Sequence, residues 1–568
     1  MRSLRLFLSA RRVLAGLAAA AVVAMAPAAS GQSEGLLQIE GDVERFLLRQ
    51  HTLGRLPSLD PGALPLSTAA GLALLDSLDL DALPPVDRQL AASFRGEVAG
   101  GLFGSWVATR TPLYPDNRSM GRVAGDGYGF EAGLLLNVSD GPAYVNRPGA
   151  EADWARASLF SRGLRVAGHA GGLFAEARVL ENQALVPLGD REYLTASRIG
   201  WAKTTSDVDP TYDYMLSTGI VGYRSRFVEV RAGRDRNRWG FSRGALLLSN
   251  YATEYDHVQV RAQAGPVSFQ SLYARFLDPR ERGQSDGDGV VEQRYGVFHR
   301  VEVNVGAGIE AEVYEAVIFG DRDDDNRNGF EPAYLVPFPL YRAVERDLGS
   351  PDNVLIGGGA SWRITPGVRP YYQVLIDELV ASRLFEDAWT NKWAFVVGLE
   401  LADPPVPGLG RLHNTDLRIE YARLRPYLYS HRDSVTTAVH YGDGLGHPAG
   451  PNASDLSVRI AHRPHPDVEV SLDAALTVRG RNTPDANYGS DPARPYTDRV
   501  PEPNPTLQGI RQRRYWADFR TSVRLLPDAY AGLSLQTWAT DDALDGGSGV
   551  VTPQVFLRWG LPVPSPRY

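Results

Sequence analysis

Val468-Glu469-Val470-Ser471-Leu472-Asp473-Ala474-Ala475-Leu476-Thr477-Val478-Arg479 decides the fold. Apolar residues hold the even positions, and the odd ones are polar except at Ala475. Successive side chains on a strand point to opposite faces, so this run has one apolar and one polar face. It is also long: a globular strand usually has roughly five or six residues, whereas a tilted bilayer crossing needs roughly 9–11. Outward from it the pattern recurs. Val258, Val260, Ala262 and Ala264 alternate with polar residues, as do Val301, Val303 and Val305. Ile309, Ala311, Val313 and Val317 share a parity that Glu315 breaks.

The connections alternate as well. Short turns fall at Ala264-Gly265-Pro266, Thr365-Pro366-Gly367, Pro464-His465-Pro466 and Leu526-Pro527-Asp528. Long polar loops fall near 111–127, 181–211, 235–254, 278–292, 320–351, 380–391, 426–454, 479–514 and 541–550. Nine long loops on one side and short turns on the other predict an all-β transmembrane fold, an antiparallel outer-membrane β-barrel of about eighteen strands. From Thr211 onward the tally is clean; segments near 128–139, 152–162 and 169–180 compete for two places. The last strand is expected to stop near Gly560, because Pro562, Pro564 and Pro566 cannot donate to a ladder. A soluble β-sandwich ranks behind this reading on strand length.

The chain has 568 residues, no cysteine and a formal charge of -8. Disulfides and thiolate metal sites are excluded, and the acidic balance argues against nucleic acid as a partner. Arg2, Arg5, Arg11 and Arg12 precede an alanine-rich apolar run from Val13 to Ala26, followed by small residues. Residues 1–31 therefore read as a secretory signal peptide, cleaved after Ala28 or Gly31. Losing four arginines and no acid takes the charge from -8 to -12. No later stretch approaches the roughly 18 apolar residues of a membrane helix. Residues 36–93 have helical spacing instead. Asp42 to Gln50 is one predicted helix, Ser67 to Leu78 a second with Ser67 or Thr68 as cap, and Pro85 to about Phe94 a third. They predict a small periplasmic helical bundle before a barrel over 94–568.

Several segments together resemble the capsule assembly Wzi family of outer-membrane proteins. They are Gly233-Arg234-Asp235-Arg236-Asn237-Arg238-Trp239-Gly240, Leu246 to Tyr251, Glu315 to Gly320, Tyr334 to Phe338, Asp352 to Leu355, Ser361-Trp362-Arg363, Tyr421 to Arg432, His440-Tyr441-Gly442 and Leu445 to Pro448. The resemblance covers nearly all of the mature chain, and the order of the pieces is its specific feature. It implies an eighteen-stranded barrel in the cell outer membrane, with a periplasmic helical bundle. It further implies a lectin-like, non-catalytic role in holding capsular polysaccharide, or a related exopolysaccharide, at the cell. The partners expected are that glycan and outer-membrane lipid, with the chain acting as a monomer. The acidic loop 321–331 and the prolyl tail depart from the family pattern.

Four groups of residues could carry chemistry. Arg423 to His447 is dense in Tyr427, Tyr429, His431, Arg432, His440 and Tyr441; with Arg238 and Trp239 these are the candidate glycan contacts. Aromatic faces cover sugar C–H patches and arginine or histidine meets hydroxyls, but an interfacial aromatic girdle uses the same residues. Arg234, Arg236, Arg238 and Arg243 either meet acidic glycan or pair inside the lumen. Asp324, Asn326 and Asn328, ahead of Gly329, open like a calcium loop; Leu335 stands where a bidentate glutamate belongs, and a solvated acidic tip is the other reading. No other cofactor is expected. His431 with Ser434, and the pair Asp541-Asp542, form no recognisable catalytic motif. A passive porin is the alternative function.

Overall fold

The computed structural model describes residues 35–99, 107–108, 120–187, 203–204, 211–277, 293–320, 334, 352–384, 386–408 and 410–563. Eighteen antiparallel strands close into a barrel. They are β1 (Tyr128–Asn146), β2 (Asp153–Ala170), β3 (Leu173–Leu185), β4 (Thr211–Arg224), β5 (Val228–Asp235) and β6 (Tyr255–Ala264). β7 (Val267–Leu277), β8 (Gln293–Gly306), β9 (Ile309–Gly320), β10 (Asn353–Trp362), β11 (Val368–Glu378) and β12 (Lys392–Ala402) follow. The circle ends with β13 (Thr415–Leu424), β14 (Ala453–His465), β15 (Val468–Arg481), β16 (Ile510–Leu526), β17 (Ala529–Asp542) and β18 (Gly546–Trp559). β18 returns to β1 with Trp559 opposite Leu136 and Gly549 opposite Asn146. That ladder skips 552–554, where Pro553 has no N–H to give.

Parity decides which face is which. On β15, Ser471, Asp473 and Thr477 are buried inward while Leu472 stands 37% exposed on the outside, the place of a lipid-facing residue. Glu315, the break in the β9 pattern, lies opposite His299 on β8, its carboxylate 3.8 Å from Nδ1, with both side chains buried. The outward-facing Phe319 nearby is covered by Tyr334, their ring centroids 5.6 Å apart.

The strand total agrees with the loop tally, but the first staves sit elsewhere than expected. The described end of 111–127, Gly121–Gly125, is a short strand folded on Tyr128–Ala132 at the short-turn end. All three competing segments of 128–180 are strands, and residues 147–152 make the first long-loop-end connection. The expected loop 541–550 is mostly ladder: β17 and β18 run on until only 543–545 join them. The backbone ladder continues there although the outward positions Asp541, Gly547 and Gly549 are not apolar, so polar composition alone misled the reading.

Three helices precede the barrel: α1 (Asp42–Thr52), α2 (Thr68–Asp76) and α3 (Pro85–Ala99). The Ser67 hydroxyl caps α2 by accepting from the Ala70 N–H at 3.3 Å. α3 runs past the expected boundary at 93 because Leu90, Phe94 and Val98 continue one i,i+4 stripe into a shared core. There Phe46 meets Phe94 at 5.5 Å. The bundle is docked on the short-turn end rather than set apart from it. Thr52 O accepts from Gly367 N (3.0 Å), Pro57 O from Asn304 Nδ2 (3.0 Å), and Gln38 Nε2 donates to Gly560 O (2.6 Å).

Candidate functional site

The lumen is filled along one side. The loop 236–254 turns inward and forms a two-stranded ladder with the N-terminal segment, Trp239 opposite Ala63 and Arg238 opposite Leu64. Its Leu246, Leu247 and Leu248 make a buried core with Trp239, with Leu272, Phe276 and Phe298 on the barrel wall, and with Leu428 and Tyr429 of the loop 425–452. The two loops are stitched together: Ser249 N donates to Leu445 O at 2.8 Å, and Tyr429 OH donates to Leu246 O at 2.7 Å. The approach is close enough that a Cβ on Gly446 would lie 2.1 Å from Leu246 O.

Below that core, ion pairs bind the helical segment to the wall. Arg300 meets Asp60 and Glu312 at 2.6 Å each. Arg558 meets Asp42 at 2.8 Å, and Arg49 meets Asp403 at 2.7 Å. Two arginines of the inward loop reach α1 and its approach: Arg238 to Glu44 at 3.2 Å, and Arg243 to Glu40 at 2.8 Å. Burial by itself raises the Asp42 carboxyl; the charges of Arg558 and Arg45 more than reverse this and hold it below the usual range. The basic run is therefore paired internally, with Arg234 on Asp256 (2.7 Å) and Arg236 on Glu254 (2.8 Å) completing it.

This geometry divides the candidate contact set. Tyr427, Tyr429, His440, Arg238 and Trp239 are all buried within the protein. Tyr427 OH donates to Asn487 O at 2.8 Å, pinning one loop to the next. His440 Nδ1 accepts from Leu277 N at 3.0 Å, which leaves its Nε2 proton for Glu254 O at 3.1 Å. Burial pushes His440 down to about 4, and that tautomer is the neutral ring. These residues hold the loops inside the barrel. His431 and Tyr441 are half-buried, and Arg432 is exposed.

What the loop end does present is a cluster built from three neighbouring loops, 379–391, 425–452 and 482–509. Arg383 to Glu502 (2.6 Å), Arg425 to Asp387 (3.0 Å) and Ser430 Oγ to Arg494 O (2.8 Å) tie them together. Trp389 lies 4.8 Å from Tyr496, and the Arg499 guanidinium stacks 3.9 Å above the Trp389 ring. His431 meets Tyr496 edge-on at 5.9 Å. Beneath them the buried Lys392 sits 4.8 Å over the Tyr496 ring and 3.0 Å from Asp377. Burial, then the charges of Lys392 and Arg432, lowers His431 to about 3, so it is neutral in this cluster. Trp389, Tyr496 and Arg499 were not singled out in the sequence. The signal for Trp389 was a tryptophan among Glu386, Asp387, Thr390 and Asn391 in a loop expected to be polar.

Among the described residues, no group of three histidine or acidic side chains is placed to hold a metal ion. The acidic stretch with Asp324, Asn326 and Asn328 lies outside the described residues. His431 Nδ1 is bonded to Thr436 Oγ1 at 2.7 Å, while Asp541 and Asp542 are engaged by Arg513 and Arg481 at 3.0 and 3.1 Å.

The chain is thus a closed eighteen-stranded barrel of the outer-membrane type, with a helical bundle on its short-turn end. No family model matches the sequence, and no curated protein does. Among solved structures it is similar to Escherichia coli Wzi, described as an outer-membrane protein involved in group 1 capsule assembly and a carbohydrate-binding β-barrel. The TM-score is 0.54 at 11% identity, over 94% of this chain and 100% of that one. This likeness shows a shared fold. Pseudomonas aeruginosa OprD (TM-score 0.38, 9% identity, 75% and 94% covered) and Acinetobacter baumannii OccAB2 (0.41, 9%, 75% and 98%) also match.

Proposed function

We propose that this protein attaches a surface polysaccharide, capsular or a related exopolysaccharide, to the outer membrane by non-catalytic contact. In this reading the loop end faces outward and the helical bundle lies in the periplasm. The observation that carries it is the Trp389–Tyr496–Arg499 cluster with exposed Arg432 beside it. Aromatic faces suit sugar rings, and among the described residues Arg432 and Arg499 form no ion pair in this cluster, unlike Arg383 and Arg494. Each contact can be weak, because a repeating polymer engages many copies of the barrel at once. The packed side of the lumen favours this over a passive porin, since filling loops reduce the path for solute.

The test is binding of the host's purified surface polysaccharide to the detergent-solubilised barrel. Trp389→Ala with Arg432→Ala is expected to weaken retention on a polysaccharide-coated surface by roughly tenfold or more. Tyr427→Phe removes only a buried hydroxyl and is expected to leave retention close to that of the parent. Equal retention by the parent and the Trp389→Ala, Arg432→Ala variant removes the cluster from the account.

A further inference from the structure

The opposite side of the lumen differs in kind from the packed one. Between β1–β4 and β16–β18 there is a cavity of about 330 Å³. Its wall carries amides and hydroxyls at Asn137, Ser161, Asn182, Gln536, Thr552 and Gln554, with apolar Leu159, Leu180, Leu216 and Val550 between them, all with inward parity. Aromatic faces interrupt them at Trp516, Trp538 and Phe556. Among the described residues two charged side chains reach it, and each is already paired: Arg236 with Glu254 at 2.8 Å and Arg520 with Asp518 at 2.7 Å. Leu561, Pro562 and Val563, folded back after β18, form part of its lining, held by Arg558 Nη1 donating to Leu561 O at 2.8 Å.

We propose that this uncharged side of the lumen is a binding site for a short, uncharged saccharide, distinct from the outer cluster. A sugar hydroxyl both donates and accepts, and so do an amide and a serine or threonine hydroxyl; a wall of such groups matches a saccharide in whichever sense each hydroxyl points. Tryptophan faces supply the apolar half of the contact. Among the described residues a uronate here would meet no unspent cation, and burying an uncompensated charge is unfavourable, so the site selects uncharged sugars. The packed side offers the contrast, because its polar groups are spent on one another as ion pairs.

The experiment uses the full chain in detergent and a panel of uncharged trisaccharides of glucose, galactose and mannose. Calorimetry and the emission of Trp516 and Trp538 are the readouts. At least one member is expected to bind saturably in the millimolar range. Gln536→Ala with Gln554→Ala should weaken it by roughly tenfold. Thr552→Trp, which fills the cavity, should abolish it while circular dichroism and heat-resistant migration stay those of the parent. Trp389→Ala should leave it unchanged, so failure here and failure of polysaccharide attachment are separate results. Failure of the whole panel to bind overturns the site. So does unchanged binding in both lumenal variants, equal binding of a uronate-bearing trisaccharide, or loss of binding in Trp389→Ala.

Discussion

The two sides of this lumen are enclosed by strands of the same kind, yet one behaves as a protein interior and the other as a lined vessel. On the packed side, a loop from one end and the helical segment from the other meet around Trp239, and every arginine of the inward loop ends on a carboxylate. On the other side, amides, hydroxyls, aromatic rings and a few aliphatic side chains line about 330 Å³ of space. Outward faces do not differ: Leu472 on β15 and Leu533 on β17 are both exposed. What separates the sides is what the inward residues meet: paired charge where a loop or the helical segment docks, and mostly uncharged groups around the cavity, although the same strands carry ion pairs such as Arg165 with Glu176 elsewhere along their length.

The comparison can be broken most forcefully at Trp239. Its replacement by alanine is expected to cost about 3–5 kcal/mol, because the ring is fully buried between loop and wall. Gln536→Ala, a half-buried inward position on the open side, serves as the counterpart, and a comparable loss there in urea unfolding would erase the distinction. The outer faces should respond alike: arginine at Leu472 or at Leu533 should each cost about 2–4 kcal/mol in bilayer refolding. A large difference between them would mean that the asymmetry is not confined to the inside.

Acid should loosen the packed side first. His440 is held neutral, its folded value near 4 against 6.5 for the free ring, so an unfolded loop takes up protons that the folded one refuses. Its contribution is complete above about 6.5 and is lost as pH falls towards 4. Hydrogen exchange over 425–452 should therefore quicken across that window. Asp42, whose carboxyl is held below its ordinary 3.8, keeps the helical segment docked until the pH falls beneath that value. If both segments loosen together, the two contacts are one unit. The smallest effect is expected at Gln536→Ala, within about 0.5 kcal/mol, because nothing packs against it as a core.

Much of the fold was legible because a strand announces itself in period two, and ten or more residues of it exceed what a globular strand needs. Eighteen strands followed from counting loops, even though Gly121–Gly125 and the three segments after it were placed differently from the expectation. The site was less legible. Tyr427, Tyr429 and His440 have the composition of a sugar-binding loop, but the same residue types serve a buried junction. Tyr427 and Tyr429 adopt left-handed backbone angles, φ 64° and 68°, that only the surrounding contacts fix. Whether a loop turns into a barrel or out of it depends on partners hundreds of residues away, such as Glu40 and Glu44 for Arg243 and Arg238. Local spacing holds no record of that.

The central claim is attachment of polysaccharide, and the ratio of cell-attached to released polymer tests it most directly. The host's gene is replaced by the parent, by a deletion, and by Trp389→Ala with Arg432→Ala and Arg499→Ala. The account predicts that total polymer is the same in all three, while the attached fraction falls in the deletion and falls similarly in the triple variant at equal barrel abundance. An attached fraction unchanged in the deletion would contradict it. A deletion that instead loses small-solute uptake would point to the porin.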